Sequence, residues 1–257
     1  RLYGYFLRFS ISRALALRVN FWLRIVMDIV YYAVGIGFYK LLYMQTPSLA
    51  GWSEAEAMVF ITCFLVVDAI HMMLYSTNLW NLAGLVNQGG LDYYLVRPVS
   101  SLFFVSLREF SFSSFVNFLM AAGLLAWALN NFPGSISAAQ ILNLLFLILN
   151  GAVIYYVIFL LFVVPVFWIH SNFGLMHTFF AAIHLAERPD PIFGGFLRVA
   201  LITLVPFALI ASYPARIIID GASIEITLHC VAGTVFLMGV LLFVWNKALA
   251  SYSSASS

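Results

Sequence analysis

Two aspartates sit inside long apolar runs of this chain, and a histidine follows the second by about one helical turn: Asp28, Asp68 and His71. Near the centre of a bilayer an Asp costs about 2.5–3.5 kcal/mol on insertion scales. The apolar residues from Val59 to Leu79 around Asp68 contribute about −0.3 to −0.6 kcal/mol each, which offsets one such residue with little margin. Asp68 must therefore face protein or water. Carboxylates at this depth carry one of two roles. They form a polar patch in a translocation path, relaying protons or ions with His71, or they form a hydrogen-bonded pair between packed helices, with Arg24 one turn before Asp28.

A second constellation lies between two apolar runs: Gln88, Gly89, Gly90, Leu91, Asp92, Tyr93, Tyr94, Leu95, Val96, Arg97, Pro98. The glycines release the chain from the preceding helix. Leu91, Tyr94 and Leu95 then fall at helical spacing, and Pro98 stops the run. A short amphipathic helix of this kind rests on lipid headgroups or docks in a partner's groove. Elsewhere the chain has no H-E-x-x-H and no G-x-S-x-G, which weighs against an intramembrane enzyme, and no G-x-x-x-x-G-K-[ST], so it has no P-loop to hold a nucleotide. His71, His170, His177, His184 and His229 are scattered without metal-ligand spacing. Cys63 and Cys230 lie in separate apolar runs and read as small hydrophobes. No metal or cofactor site is expected, and no basic patch points to nucleic acid.

The elements that must position these residues follow from composition. Of 257 residues, 64% are hydrophobic and 9% charged, against roughly 25% charged in a soluble domain. The chain reads as one all-α integral membrane domain over residues 1–257. Runs of about 20 apolar residues cross a ~30 Å hydrocarbon core. Six are expected, at about 19–43, 57–79, 102–129, 141–169, 196–213 and 226–245. With the N-terminus in the cytoplasm, ten Lys and Arg fall on the cytoplasmic side, Arg188 and Arg198 among them. Lys40 and Arg216 fall outside. That bias places both termini in the cytoplasm of the cell (inner) membrane. Residues 1–17 read as an amphipathic helix on the membrane surface, and 171–186, with His177 and His184 on one face, as another. Lys40 is expected to pair with Glu54 or Glu56. There is no signal-peptide pattern, and an opening at Arg1 reads as lacking a few leading residues.

The order of short motifs resembles a known family. Gly90-Leu91-Asp92, Leu95 and Arg97-Pro98 are similar to the "G-x-LD-x-x-L-x-[RK]-P" signature of a branch of the ABC-2 type permeases, the membrane subunits of type-2 ABC exporters. Gly51-Trp52-Ser53 with Glu56, Arg188-Pro189, Tyr213-Pro214 and the ending Trp245…Ala248-Leu249…Tyr252…Ser254…Ser256 resemble its other landmarks. Glu187 departs from it, standing where alanine is more usual. The resemblance implies a permease that pairs with a second permease chain, the same or homologous. It also implies separate cytosolic ATPase subunits that bind ATP and Mg, so that this chain is no enzyme. The segment at 85–100, with Gln88, Gly89, Gly90, Leu91, Asp92, Tyr94, Leu95, Arg97 and Pro98, would be the coupling helix that docks the ATPase. Residues 214–225, with Pro214, Arg216, Asp220 and Glu225, would be an outer re-entrant segment. The rival reading is a secondary transporter driven by ions or protons through Asp28, Asp68 and His71.

Overall fold

The computed structural model describes Gly4, residues 18–169 and residues 173–252. The expected surface helix at 1–17 and the end of the C-terminal motif (Ser254, Ser256) thus lie outside the described residues, Gly4 apart. The described residues are helical, with no strand; the one β-bridge joins Leu49 to Trp52 in a turn.

Helix α1 (Arg18–Tyr43) is followed by the 49–52 turn and α2 (Glu54–His71). Ser53 starts α2 with a capping box, accepting from the Glu56 amide while Glu56 Oε2 accepts from the Ser53 amide at 2.6 Å. The helix then widens into a π-turn at Met72–Ser76 and continues as α3 (Thr77–Trp80) and α4 (Leu82–Asn87). The three-residue offset between the expected start at 57 and the observed start at Glu54 comes from that cap. After α5 (Asp92–Leu95) and α6 (Ser101–Leu107) come α7 (Phe112–Asn130) and α8 (Ala138–Val163). A second capping box, Ser137 with Gln140, opens α8. Five helices or helix runs are long and apolar enough to cross a membrane: Phe21–Tyr43, Glu54–Asn87, Phe112–Asn130, Ala138–Ile169 and Ile224–Ser251.

The region between residues 166 and 224 differs from expectation. Helix α9 (Val166–Ile169) lies at the end of the bundle where Phe167 packs on Trp245 and Tyr252. Helix α10 (Phe173–Ile183) leads to Glu187, whose carbonyl accepts from Tyr39 Oη at 2.7 Å, at the opposite end. The chain therefore traverses the bundle between Ile169 and Glu187, where an interfacial helix is expected. Of that stretch, the 11 residues of α10 rise about 16 Å. The expected fifth span is instead two helices, α11 (Gly195–Thr203) and α12 (Ala208–Ile219), bent by 93°. Pro206 lies at the bend, with no amide hydrogen to continue α11. Arg198 of α11 and Arg216 of α12 both bond the Asp190 carboxylate, at 3.0 and 2.9 Å. Both helices thus begin and end at one end of the bundle, and the pair is re-entrant. Arg188 and Arg198 belong on the side of Arg216, not opposite it, and the positive-charge bias narrows accordingly. The re-entrant segment is correspondingly earlier than 214–225. Pro214 and Arg216 are inside α12, Asp220 caps it, and Glu225 lies in the first turn of the last helix, α13 (Ile224–Ser251).

The core is α2 and α8, with α7, α12 and α13 packed around them. Helices α8 and α13 run parallel and are stitched at a seven-residue repeat. Thr227 Oγ1 donates to Asn143 Oδ1, and Thr234 Oγ1 to Asn150 Oδ1, each at 3.0 Å. Such side-chain bonds hold helices together where lipid supplies no hydrophobic drive. At the end near Trp52, Lys40 lies over the Trp127 ring, 5.5 Å from its centroid; Glu56 is engaged by the α2 cap instead of by Lys40.

Candidate functional site: a carboxylate-lined cavity and an exposed helix at its far end

A cavity of about 250 Å³ lies among α1, α2, α7, α8 and α10. Asp28 and Asp68 both line it. Asn117 on α7 donates through Nδ2 to Asp28 Oδ2, and Tyr32 Oη donates to the Asn117 carbonyl at 3.5 Å. Tyr155 on α8 donates to Asp68 Oδ1 at 3.2 Å. Arg24 lies close enough to Asp28 to act on it electrostatically. Glu187 closes the rim, accepting from Tyr31 Oη at 3.1 Å and lying 2.9 Å from His184 Nδ1. His71 is not part of the lining. It is 2% exposed and stacks on Tyr155, ring centroids 4.1 Å apart and planes within 4°. Sequence reasoning therefore finds the two aspartates and misses Asn117, Tyr155 and Glu187. An asparagine in an apolar helix is the one signal that could have flagged α7; nothing distinguishes Tyr155 from its neighbours.

Below the cavity, α2 carries its π-turn, and Asn78 fixes the geometry there. Its side chain donates to the Glu109 carbonyl at 2.8 Å and accepts from the Glu109 amide at 2.8 Å, while Ser111 N donates to Met73 O. The chain leaves α4 through Gly89, whose φ of +72° favours glycine, and Leu91 N returns to Leu85 O at 3.1 Å.

In the short helix that follows, the expected face 91/94/95 is divided: Leu95 is exposed, but Leu91 and Tyr94 are not. Leu91 and Tyr94 point inward: Leu91 is fully buried, and Tyr94 Oη accepts from Arg108 and packs on Phe104. The outward residues are Tyr93, 59% exposed, and Val96, 82% exposed, with Leu95, Pro98 and Val99 beside them. Arg97 stacks 4.0 Å above the Tyr93 ring. Helical spacing alone selects both the 91/94/95 face and the 93/96 face; the Arg108 partner decides between them. The end of α13 joins this assembly. Trp245 Nε1 donates to Ser101 Oγ at 3.4 Å, and burial, followed by the nearby Asp92 carboxylate, raises the Tyr252 phenol above its usual pKa.

Several apolar helices of membrane-crossing length, with a re-entrant pair at one end, define a multi-pass membrane protein. Residues 29–256 match the family described as ABC-2 family transporter protein. The chain belongs to that family and is the transmembrane permease of an ABC transporter, a class that normally works with a cytosolic ATPase. No curated relative and no solved structure matches it.

Proposed function

We propose that this chain forms the translocation path of an ATP-driven exporter, paired with a second permease chain, and that a cytosolic ATPase docks on the segment 85–100. The observation that carries the reading is the helix Asp92–Leu95. It is anchored inward by Leu91 and Tyr94, yet presents Tyr93, Leu95 and Val96 to the outside. This end is then cytoplasmic, with both termini, and the Trp52 end with its re-entrant pair is external. Exposed aromatic and branched side chains on a braced helix suit a groove in a protein partner, which recognises such anchors along one helix face. The lever runs through continuous structure. From the segment the chain rises through α4, α3 and the π-turn to Asp68, so a shift at the docking face reaches the cavity along one helix. ATP acts by binding two states of its subunit unequally, which is what a lever of this kind can convey. The rival, ion coupling through Asp28, Asp68 and His71, is weakened because His71 stands behind Tyr155 and outside the cavity.

The test is co-purification of the full chain with its ATPase. Tyr93→Asp combined with Val96→Asp is expected to release the ATPase while the permease still inserts and elutes as wild type, because both side chains are already exposed. Retention of the ATPase by the double variant would remove 85–100 as the docking face.

A further inference from the structure

We propose that the cavity between α1, α2, α7, α8 and α10 binds an organic cation, an ammonium group on a small apolar body, and that such cations are the cargo class of this permease. The inference rests on the transport reading above and adds the chemistry of what is carried.

Three carboxylates line the cavity: Asp28, Asp68 and Glu187. The one basic side chain among the lining residues, His184, already lies on Glu187. Asp68 is 9% exposed and accepts from Tyr155, with no cationic partner among the described residues. Asn117 is 4% exposed, and its Oδ1 accepts no hydrogen bond while Nδ2 holds Asp28. A buried carboxyl without a cationic partner is disfavoured in its charged form, and a buried acceptor without a donor is costly. Here they face one cavity, and a single positively charged donor relieves both.

The remaining lining narrows the kind of cation. Tyr31, Tyr32, Phe64, Tyr155 and Phe180 present aromatic rings, whose faces attract ammonium groups. Among the described residues no three His, Cys, Asp or Glu converge closely enough to hold a metal ion. The carboxylates do not converge on one point, which suits an ammonium group carried on an organic body better than a bare ion. An anion would meet three carboxylates, and a neutral apolar compound would leave Asp68 and Asn117 Oδ1 unpartnered. The volume of about 250 Å³ lies just below the ~300–1,000 Å³ of small-molecule sites, so the head group and a short stem fill it.

The probe is benzylammonium, whose N–H groups can donate, with ethylbenzene as its neutral isostere and benzenesulfonate as an anionic control. Each is titrated calorimetrically into the full chain with its ATPase, in lipid nanodiscs. Saturable binding of the ammonium alone is expected. Asp68→Asn is expected to weaken it about thirtyfold, since losing one partner of a buried charge pair costs at least about 2 kcal/mol and ~1.4 kcal/mol is tenfold. Asp68→Glu, which keeps the carboxylate, is expected to bind within a few-fold of wild type and guards against a fold defect in the Asn variant. Binding of the neutral isostere as tightly as the ammonium overturns the proposal, as does unchanged affinity in Asp68→Asn or no binding at all. If the ATPase co-purifies but the ammonium does not bind, only the cargo class is wrong. If the ATPase never associates, the transport reading itself has failed.

Discussion

Asp190→Ala is expected to destabilise the protein by about 3 kcal/mol, the largest loss of any single side-chain truncation at the Trp52 end. Removing one member of a buried ion network costs about 3–5 kcal/mol because the partners are left charged and unpaired. Asp190 is 1% exposed and holds Arg216 through both carboxylate oxygens, at 2.9 and 3.0 Å, with Arg198 on Oδ2 at 3.0 Å. The lower end of the range applies because Arg198 is half exposed and Arg216 keeps a second, longer contact with Asp220 at 3.7 Å. The carboxylate joins the segment before α11 to α11 and α12, so its loss loosens the whole re-entrant pair. Arg198→Ala, at the more exposed arm, should cost less than about 1 kcal/mol. Thermal unfolding of the purified chain in nanodiscs measures both; equal shifts for the two variants would refute the ranking.

Gly151→Leu is the second large expectation. Helices α8 and α12 approach so closely that a Cβ on Gly151 would stand 2.5 Å from the Ile210 carbonyl oxygen and 3.4 Å from its Cα. The obstacle is backbone, which cannot rotate aside as a side chain would. Overpacking a well-filled interior costs about 1–3 kcal/mol per inserted group and sometimes more. Four added carbons against a carbonyl should therefore expel α12 from its seat. The expected readout is protease sensitivity between residues 194 and 208 with the remaining helices intact. Gly151→Ala should show the same cut at lower yield. A leucine variant as resistant as wild type would mean the two helices do not meet at this glycine.

Most of the helices were legible because lipid imposes a length: an apolar run of about 20 residues has few alternatives to a helix. The traverse through α10 was not legible, since His177 and His184 on one face and a helix of only 11 residues read as a surface element. The re-entrant pair was misread for the opposite reason. Residues 196–213 have enough apolar length for a span, and only the 93° bend and the shared Asp190 reveal that the chain turns back. At the cavity, charge in an apolar run exposed Asp28 and Asp68. Glu187 was hidden because it lay in what read as a cytoplasmic loop, and it reaches the cavity only once that loop moves to the other end. In the segment 91–96, Leu91 and Tyr94 turned inward while Leu95 stayed outward, because periodicity gives the angle between side chains and not the direction of the bundle.

The π-turn at Met72–Ser76 has a consequence for how span two works. One extra residue in a helix turns everything beyond it by about 100° at 3.6 residues per turn. The cavity side of span two and the side that leads to residues 92–96 are therefore set out of phase, like two cranks keyed at different angles on one shaft. If the wide turn tightens to an ordinary α-turn, Asp68 and the segment at 92–96 must rotate relative to each other even though neither end is pulled.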